Sequence, residues 1–135
     1  MTPTTAESWL LVARERAADA EAMFPGRDHS AGPVYLAGYA VECSLKAYLQ
    51  CRGLKFPSHG SEGHNLRGLW HAADFRVFDL DDRAGEKTYY LGTWSTDLRY
   101  EGTVDPPLPV ALLLKGAKEL TGWIQNQVRR SRRAR

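Results

Sequence analysis

Tyr35-Leu36-Ala37-Gly38-Tyr39-Ala40-Val41-Glu42-Cys43-Ser44-Leu45-Lys46-Ala47-Tyr48-Leu49 is the core of a longer segment, Gly32 to Arg52, around which the chain is organised. The quoted run has no proline and is rich in Ala and Leu, so it reads as helix. One row at steps of three or four is Val34, Ala37, Val41, Leu45, Tyr48 and Arg52, apolar until its last member. A second row, Leu36, Ala40, Cys43, Ala47 and Cys51, is apolar as well. Together they cover more of the circumference than the single stripe of a surface helix, which places this helix at the centre of the fold. The third row is Tyr35, Tyr39, Glu42 and Lys46. Because Lys and Glu are rarely buried, this row is expected to reach water along a strip or to feed a polar site.

Outward from that helix, the pattern is helical throughout. Upstream, Thr4 and Glu7 have capping-box spacing, and Trp9, Ala13, Ala17, Ala20 and Phe24 mark one face of a first helix that ends near Pro25-Gly26. Downstream, Gly53 suits the left-handed turn that closes a helix. Lys55 to Gly63 reads as loop, and a short helix opens at His64 with Leu66, Leu69, Trp70 and Ala73 inward. Phe75 to Leu80 is a connection, because nothing else in the chain would pair with a lone strand. A fourth helix is expected after the N-cap candidates Asp79 to Asp82, with Ala84, Thr88, Leu91, Ser95 and Leu98 on one side, although Gly85 and Gly92 weaken it. Pro109 then suits the first turn of a last helix with the inner stripe Leu113, Ala117, Leu120, Ile124 and Val128. The expectation is an all-α, up-and-down bundle of four to five helices, one domain over residues 1–128, with a basic tail at 129–135.

Composition narrows the function classes. A chain of 135 residues with 43% hydrophobic side chains supports one ordinary core. No apolar run has membrane-spanning length and no basic-then-apolar leader is seen, so no membrane role and a cytoplasmic location are expected. Cys43 and Cys51 lie about 12 Å apart along one helix, too far to bridge, and read as buried thiols. The net charge of +2 conceals an asymmetry: Arg129, Arg130, Arg132, Arg133 and Arg135 fall in the last seven positions, leaving 13 basic against 16 acidic side chains elsewhere. A basic groove across the body is therefore not indicated, and the tail is expected to be solvated and frayed. No phosphate loop, HExxH, GxSxG or metal-spaced carboxylate set is present, so neither cofactor nor metal is expected. What remains is a polar set beside core residues: Tyr39, Glu42, Lys46, His64, Asp97, Arg99 and Tyr100.

These residues carry a resemblance. Leu36 to Ala47 looks like the hallmark helix of HEPN domains (higher eukaryote and prokaryote nucleotide-binding). Gly63-His64-Asn65-Leu66 with Leu69, and Trp94-Ser95-Thr96-Asp97-Leu98-Arg99-Tyr100, resemble the next two blocks in order. The resemblance implies a bundle commonly paired into a homodimer. It also implies a role as a metal-independent ribonuclease in toxin–antitoxin or defence systems, as a nucleotide-binding module, or as the partner of a minimal nucleotidyltransferase. The nuclease branch needs an Arg, then a polar residue, then a His, with four to six residues between Arg and His. Here the sequence departs from that pattern. Arg67 and His71 have three residues between them and Gly68 in the polar place; Arg52 and His59 straddle a glycine-started loop; Arg99 has no following His. The expected function is a catalytically degenerate module binding nucleotide, RNA or a partner protein. The alternative is a divergent ribonuclease drawing on His59, His64 or His71, with Arg67 as a weak candidate cation. Glu42 and Arg99 are expected to pair, and Trp9, Trp70, Trp94 and Trp123 are more large aromatics than one small core needs, so some are expected at a dimer surface.

Overall fold

The structure, a computed structural model, describes residues 2–57, 60–77, 80–104 and 108–133. Its helices are α1 (Ala6–Met23), α2 (Ala31–Cys51), α3 (Gly60–Gly63), α4 (Leu66–Ala72), α5 (Thr88–Gly92) and α6 (Val110–Arg133), with a 3-10 turn at Thr96–Tyr100. Among the described residues there is no strand, only an isolated antiparallel bridge between Ser30 and Thr103. The chain is an all-α bundle, and no helix among these residues is long and apolar enough to cross a membrane.

Local chemistry sets the helix ends. Thr5, not Thr4, caps α1, accepting from Ser8 N at 3.1 Å, so the expected capping box shifts by one residue and Glu7 is not its partner. Ser30 caps α2, whose first turn accommodates Pro33 because the amide that proline lacks has no helical partner there. At the other end Gly53 takes φ +67, Leu54 N reaches Leu49 O at 2.9 Å and Gly53 N reaches Gln50 O at 3.1 Å. That pair of bonds is the Schellman closure the glycine foreshadowed. Asp74 performs the same service for α4 at φ 61, with Phe75 N bonded to Trp70 O.

Helix α2 is central in fact: both apolar rows are covered, α1 and α6 pack most extensively against it, and α4 and the 3-10 turn contact it as well. α1 runs antiparallel to it, since Trp9 lies by Lys46 while Ala17 and Ala20 lie by Ala37 and Ala40. α6 runs parallel to it, with Leu114 and Ala117 by Ala37 and Ala40, and Gln125 by Ser44. The return leg between them is the broken one. It places Phe75 against Tyr48 and Trp123, then carries Tyr90 to Leu113 O at 2.7 Å and Trp94 to Val34 O at 3.1 Å. The inner stripe of α6 and the inner face of α4 are buried as their spacing predicts.

Three expectations give way here. The fourth helix is not continuous: Gly85 turns at φ +83, α5 lasts five residues, and Ser95 adopts extended backbone to start the 3-10 turn. Asp82 does act as a cap, but from outside the helix, its carboxylate accepting from Lys87 N at 2.7 Å and Thr88 N at 3.1 Å. At the C-terminus α6 continues through Arg133, and Arg132 pairs with Glu7 at the start of α1, so these arginines stand on a helix rather than on a frayed tail. Gly60–Gly63, expected as loop, forms a short helical turn.

Candidate functional site

The third row of α2 is where polar chemistry collects. Glu42 and Lys46, one turn apart, are 3% and 1% exposed, and Glu42 Oε2 accepts from Lys46 Nζ at 2.9 Å. His64, positioned just ahead of the Asn65 cap of α4, places Nδ1 2.8 Å from Glu42 Oε1. One buried carboxylate is thus held by a partner on each oxygen. This satisfaction is what makes the burial tolerable, because an unpaired charge in the interior is expensive. The strip is therefore not solvated at its Glu42–Lys46 end. Lys46 Nζ also lies 5.1 Å from the centre of the Trp9 ring, a cation–π contact from α1.

Toward the start of α2 the row becomes aromatic. Tyr35 and Tyr39 meet edge to face at 5.1 Å, with their hydroxyls 3.3 Å apart, and Trp94 backs both rings. Trp94 fits because Gly38 has no side chain: a Cβ there would sit 1.9 Å from Trp94 Cε2. The His64 ring packs edge-on against Tyr39 at 5.7 Å. Burial, and then the Tyr35 hydroxyl, raise Tyr39 well above the ordinary phenol range, so it stays protonated and able to donate. Burial, reinforced by the Glu42 charge, pushes the Cys43 thiol up to about 12, which makes it inert rather than nucleophilic.

These residues floor a groove of ≈ 440 Å³ whose other wall is α1, through Trp9, Val12 and Arg16. Sequence reading treated Trp9 only as core or interface and passed over Arg16. The signal was there in the spacing: Trp9, Val12 and Arg16 step by three and four beside the core row of α1, so they share a face.

The remaining candidates do not converge on this groove. Arg99 does not pair with Glu42, whose ion-pair partners among the described residues are Lys46 and His64. It stacks instead on Tyr100 at 4.9 Å, and Tyr100, then Tyr35, hold its guanidinium in the charged form. It therefore serves the tyrosine end of the strip. Asp97 is exposed, and Tyr100 is 77% exposed. Arg67 and His71 lie one turn apart on the exposed face of α4, and neither lines the groove. His59 lies outside the described residues, and exposed His29 contributes its carbonyl to Val104 N. The tryptophans are not spare: Trp9, Trp70 and Trp94 are buried, and Trp123 packs on Trp70 and Phe75. The aromatic argument for a dimer surface therefore falls. The core uses all four: α4 and Phe75 bring Trp70 and Trp123 together at 5.5 Å, Trp9 packs by Lys46, and Trp94 fills the space over Gly38.

Comparison with known proteins finds no matching family model, no matching curated protein and no matching solved structure.

Proposed function

We propose that this chain is a HEPN-like module that holds a nucleotide, free or within RNA, and does not cleave it. The observation that carries the reading is the closed Lys46–Glu42–His64 chain beneath an aromatic-walled groove. The tyrosine rings offer stacking surface, and base–aromatic stacking contributes on the order of 1–3 kcal/mol per base without sequence selectivity. The same geometry speaks against phosphodiester cleavage of the nuclease-branch kind, because Arg67 and His71 stand outside the groove and His64 is engaged by a carboxylate. Calorimetric titration of the full chain with ribonucleotides and a short single-stranded RNA, in EDTA, tests the reading. Saturable binding that weakens about tenfold in Tyr39→Ala, with intact RNA on a gel afterwards, is expected. Failure to bind either probe overturns it.

One observation favours a second reading. A carboxylate on Nδ1 leaves Nε2 of a half-exposed imidazole for proton transfer, the arrangement a general base needs. The divergent, metal-independent ribonuclease is therefore the alternative, and cleavage in EDTA that disappears in His64→Ala would put it first. Pairing into a homodimer, a nucleotidyltransferase partner and a toxin–antitoxin or defence setting rest on the sequence resemblance.

A further inference from the structure

The outer face of α6 is basic along its length. Opposite the buried inner stripe runs a row at steps of three and four, with Lys115 and Lys118 near one end and Arg129, Arg130 and Arg133 near the other, all exposed. Residues 110–133 hold six basic side chains and a single acid, Glu119. In the first half the charge is partly answered: Glu119 lies 3.0 Å from Lys87 and 4.0 Å from Lys115, and Glu21 of α1 lines the same cleft as Lys118. In the second half it is not. Residues 120–133 contain no Asp or Glu, Glu7 is taken by Arg132, and Arg129, Arg130 and Arg133 have no ion-pair partner among the described residues. Exposed Arg52 adds to this end, because Gln125 meets Ser44, and Arg52 and Arg133 each lie about two turns further along their parallel helices. Between the two cation clusters, which stand about 16 Å apart along the axis, the row is small and neutral at Gly122 and Asn126. A Cβ at Gly122 would meet nothing within 4 Å, so packing inside the chain does not require the glycine, although glycine weakens a helix interior. What it leaves is helix surface open to close approach from outside.

From these observations we infer that the outer row of α6 is a docking surface for double-helical nucleic acid, held through its phosphates. The row has no large apolar or aromatic side chain, since Trp123 is packed on Trp70 and Phe75. A protein partner would therefore lack the buried anchors that hold protein interfaces together. For the same reason there is no apolar face to enter a bilayer and no ring on which the bases of a single strand would stack. Charge alone remains, and charge alone suffices for a polyphosphate, whose binding is driven by released counterions. The unanswered cations are arginines rather than lysines, and the guanidinium fork matches phosphate oxygens in pairs. A rod of cations about 27 Å long suits a stiff duplex, recognised by its backbone whatever its sequence. No residue of α6 lines the groove of Tyr39 and His64, so this surface does not depend on the nucleotide reading.

The test is fluorescence anisotropy of the full chain with a labelled RNA duplex longer than the row, the matching DNA duplex and one strand of the RNA, over a series of salt concentrations. The duplexes are expected to bind more tightly than the single strand, with log affinity falling linearly in log salt. Combining Arg129→Ser, Arg130→Ser and Arg133→Ser is expected to lower duplex affinity by about tenfold or more and to flatten the DNA salt slope by about 0.9 per lost contact. The same three positions changed to Lys should keep the slope and lose part of the affinity, because the charge stays and the fork goes. Gly122→Leu should weaken duplex binding while circular dichroism and the urea midpoint show the helix intact. Tighter binding of the RNA duplex makes RNA the partner, tighter binding of the DNA duplex makes it DNA, and equal binding makes it the shared phosphate backbone. Preference for the single strand, or an unchanged slope in the triple Ser variant, overturns the docking surface and leaves the groove reading standing. So does competition by polyglutamate or by phosphatidylserine vesicles as strong as that by unlabelled duplex. Duplex binding with no mononucleotide binding keeps the surface and removes the groove reading.

Discussion

Gly38→Ala sets two effects of opposite sign against each other in the middle of α2. Helix propensity alone favours the substitution by about 1 kcal/mol, since alanine loses less backbone entropy than glycine. The tertiary structure opposes it. The new methyl would lie 1.9 Å from Trp94 Cε2 and 2.0 Å from Trp94 Nε1, so the indole has to retreat. Retreat breaks the 3.1 Å bond from Trp94 Nε1 to Val34 O, and an unsatisfied buried donor costs about 1–3 kcal/mol. Overpacking strain around Tyr35 and Tyr39, which rest on the same ring, costs about 1–3 kcal/mol more. The net expectation is destabilisation by roughly 2–4 kcal/mol, read from urea denaturation followed by far-UV circular dichroism. The decisive measurement is the same substitution in a Trp94→Ala background. With the indole gone the clash is gone, and Gly38→Ala should then be neutral or stabilising by up to about 1 kcal/mol. A single variant as stable as the parent, or two costs that simply add, would refute the argument that Gly38 exists to admit Trp94.

Other expectations follow from the same geometry. Glu42→Ala strips the buried Lys46 of its carboxylate and should cost about 3–5 kcal/mol in thermal or urea unfolding, whereas Glu42→Leu with Lys46→Met should recover most of that loss. Asp74→Gly relieves a non-glycine residue at φ 61 and should stabilise the fold by about 0.5–1 kcal/mol, read as a higher urea midpoint at unchanged slope. Because burial pushes Cys43 up to about 12, a thiol reagent at mildly alkaline pH should label half-buried Cys51 and spare Cys43 until the chain unfolds. The sign for stability is that the folded state holds this proton more tightly than the unfolded one. The contribution is full below the ordinary thiol range and is lost as pH rises toward 12, visible as a Cys43→Ala variant with a shallower alkaline decline. Finally, replacing Arg129, Arg130, Arg132 and Arg133 by Ser should weaken RNA binding and flatten its salt dependence by about 0.7 per lost phosphate contact, while mononucleotide affinity stays unchanged; an unaltered salt slope would dismiss the α6 arginines as an RNA contact.

Much of the fold was legible because it depends on short-range regularities. The rows of α2, the inner face of α4, the stripe of α6 and the Gly53 stop all follow from helical spacing and from the one residue that tolerates a left-handed turn. The return leg was not legible. Its periodicity looked like one helix from Asp82 to Leu98, but Gly85 turns the chain, Asp82 caps from a distance, and Gly116 admits the Glu86 carbonyl against α6, where a Cβ would lie 2.5 Å away. Those are contacts between segments far apart in sequence, and no window of local pattern contains them.

The candidate site divides the same way. By itself the sequence determined that Tyr35, Tyr39, Glu42 and Lys46 share one helix face and that His64 opens the helix after the loop, because spacing along an α-helix is a geometric constant. Only the tertiary structure decided that Glu42 and Lys46 are buried, that His64 and not Arg99 takes the second carboxylate oxygen, and that Trp9 and Arg16 complete the wall. The reason is that a side chain's periodicity says which way it faces, while its partner depends on which helix is packed across from it, and that is set by the apolar rows rather than by the polar one.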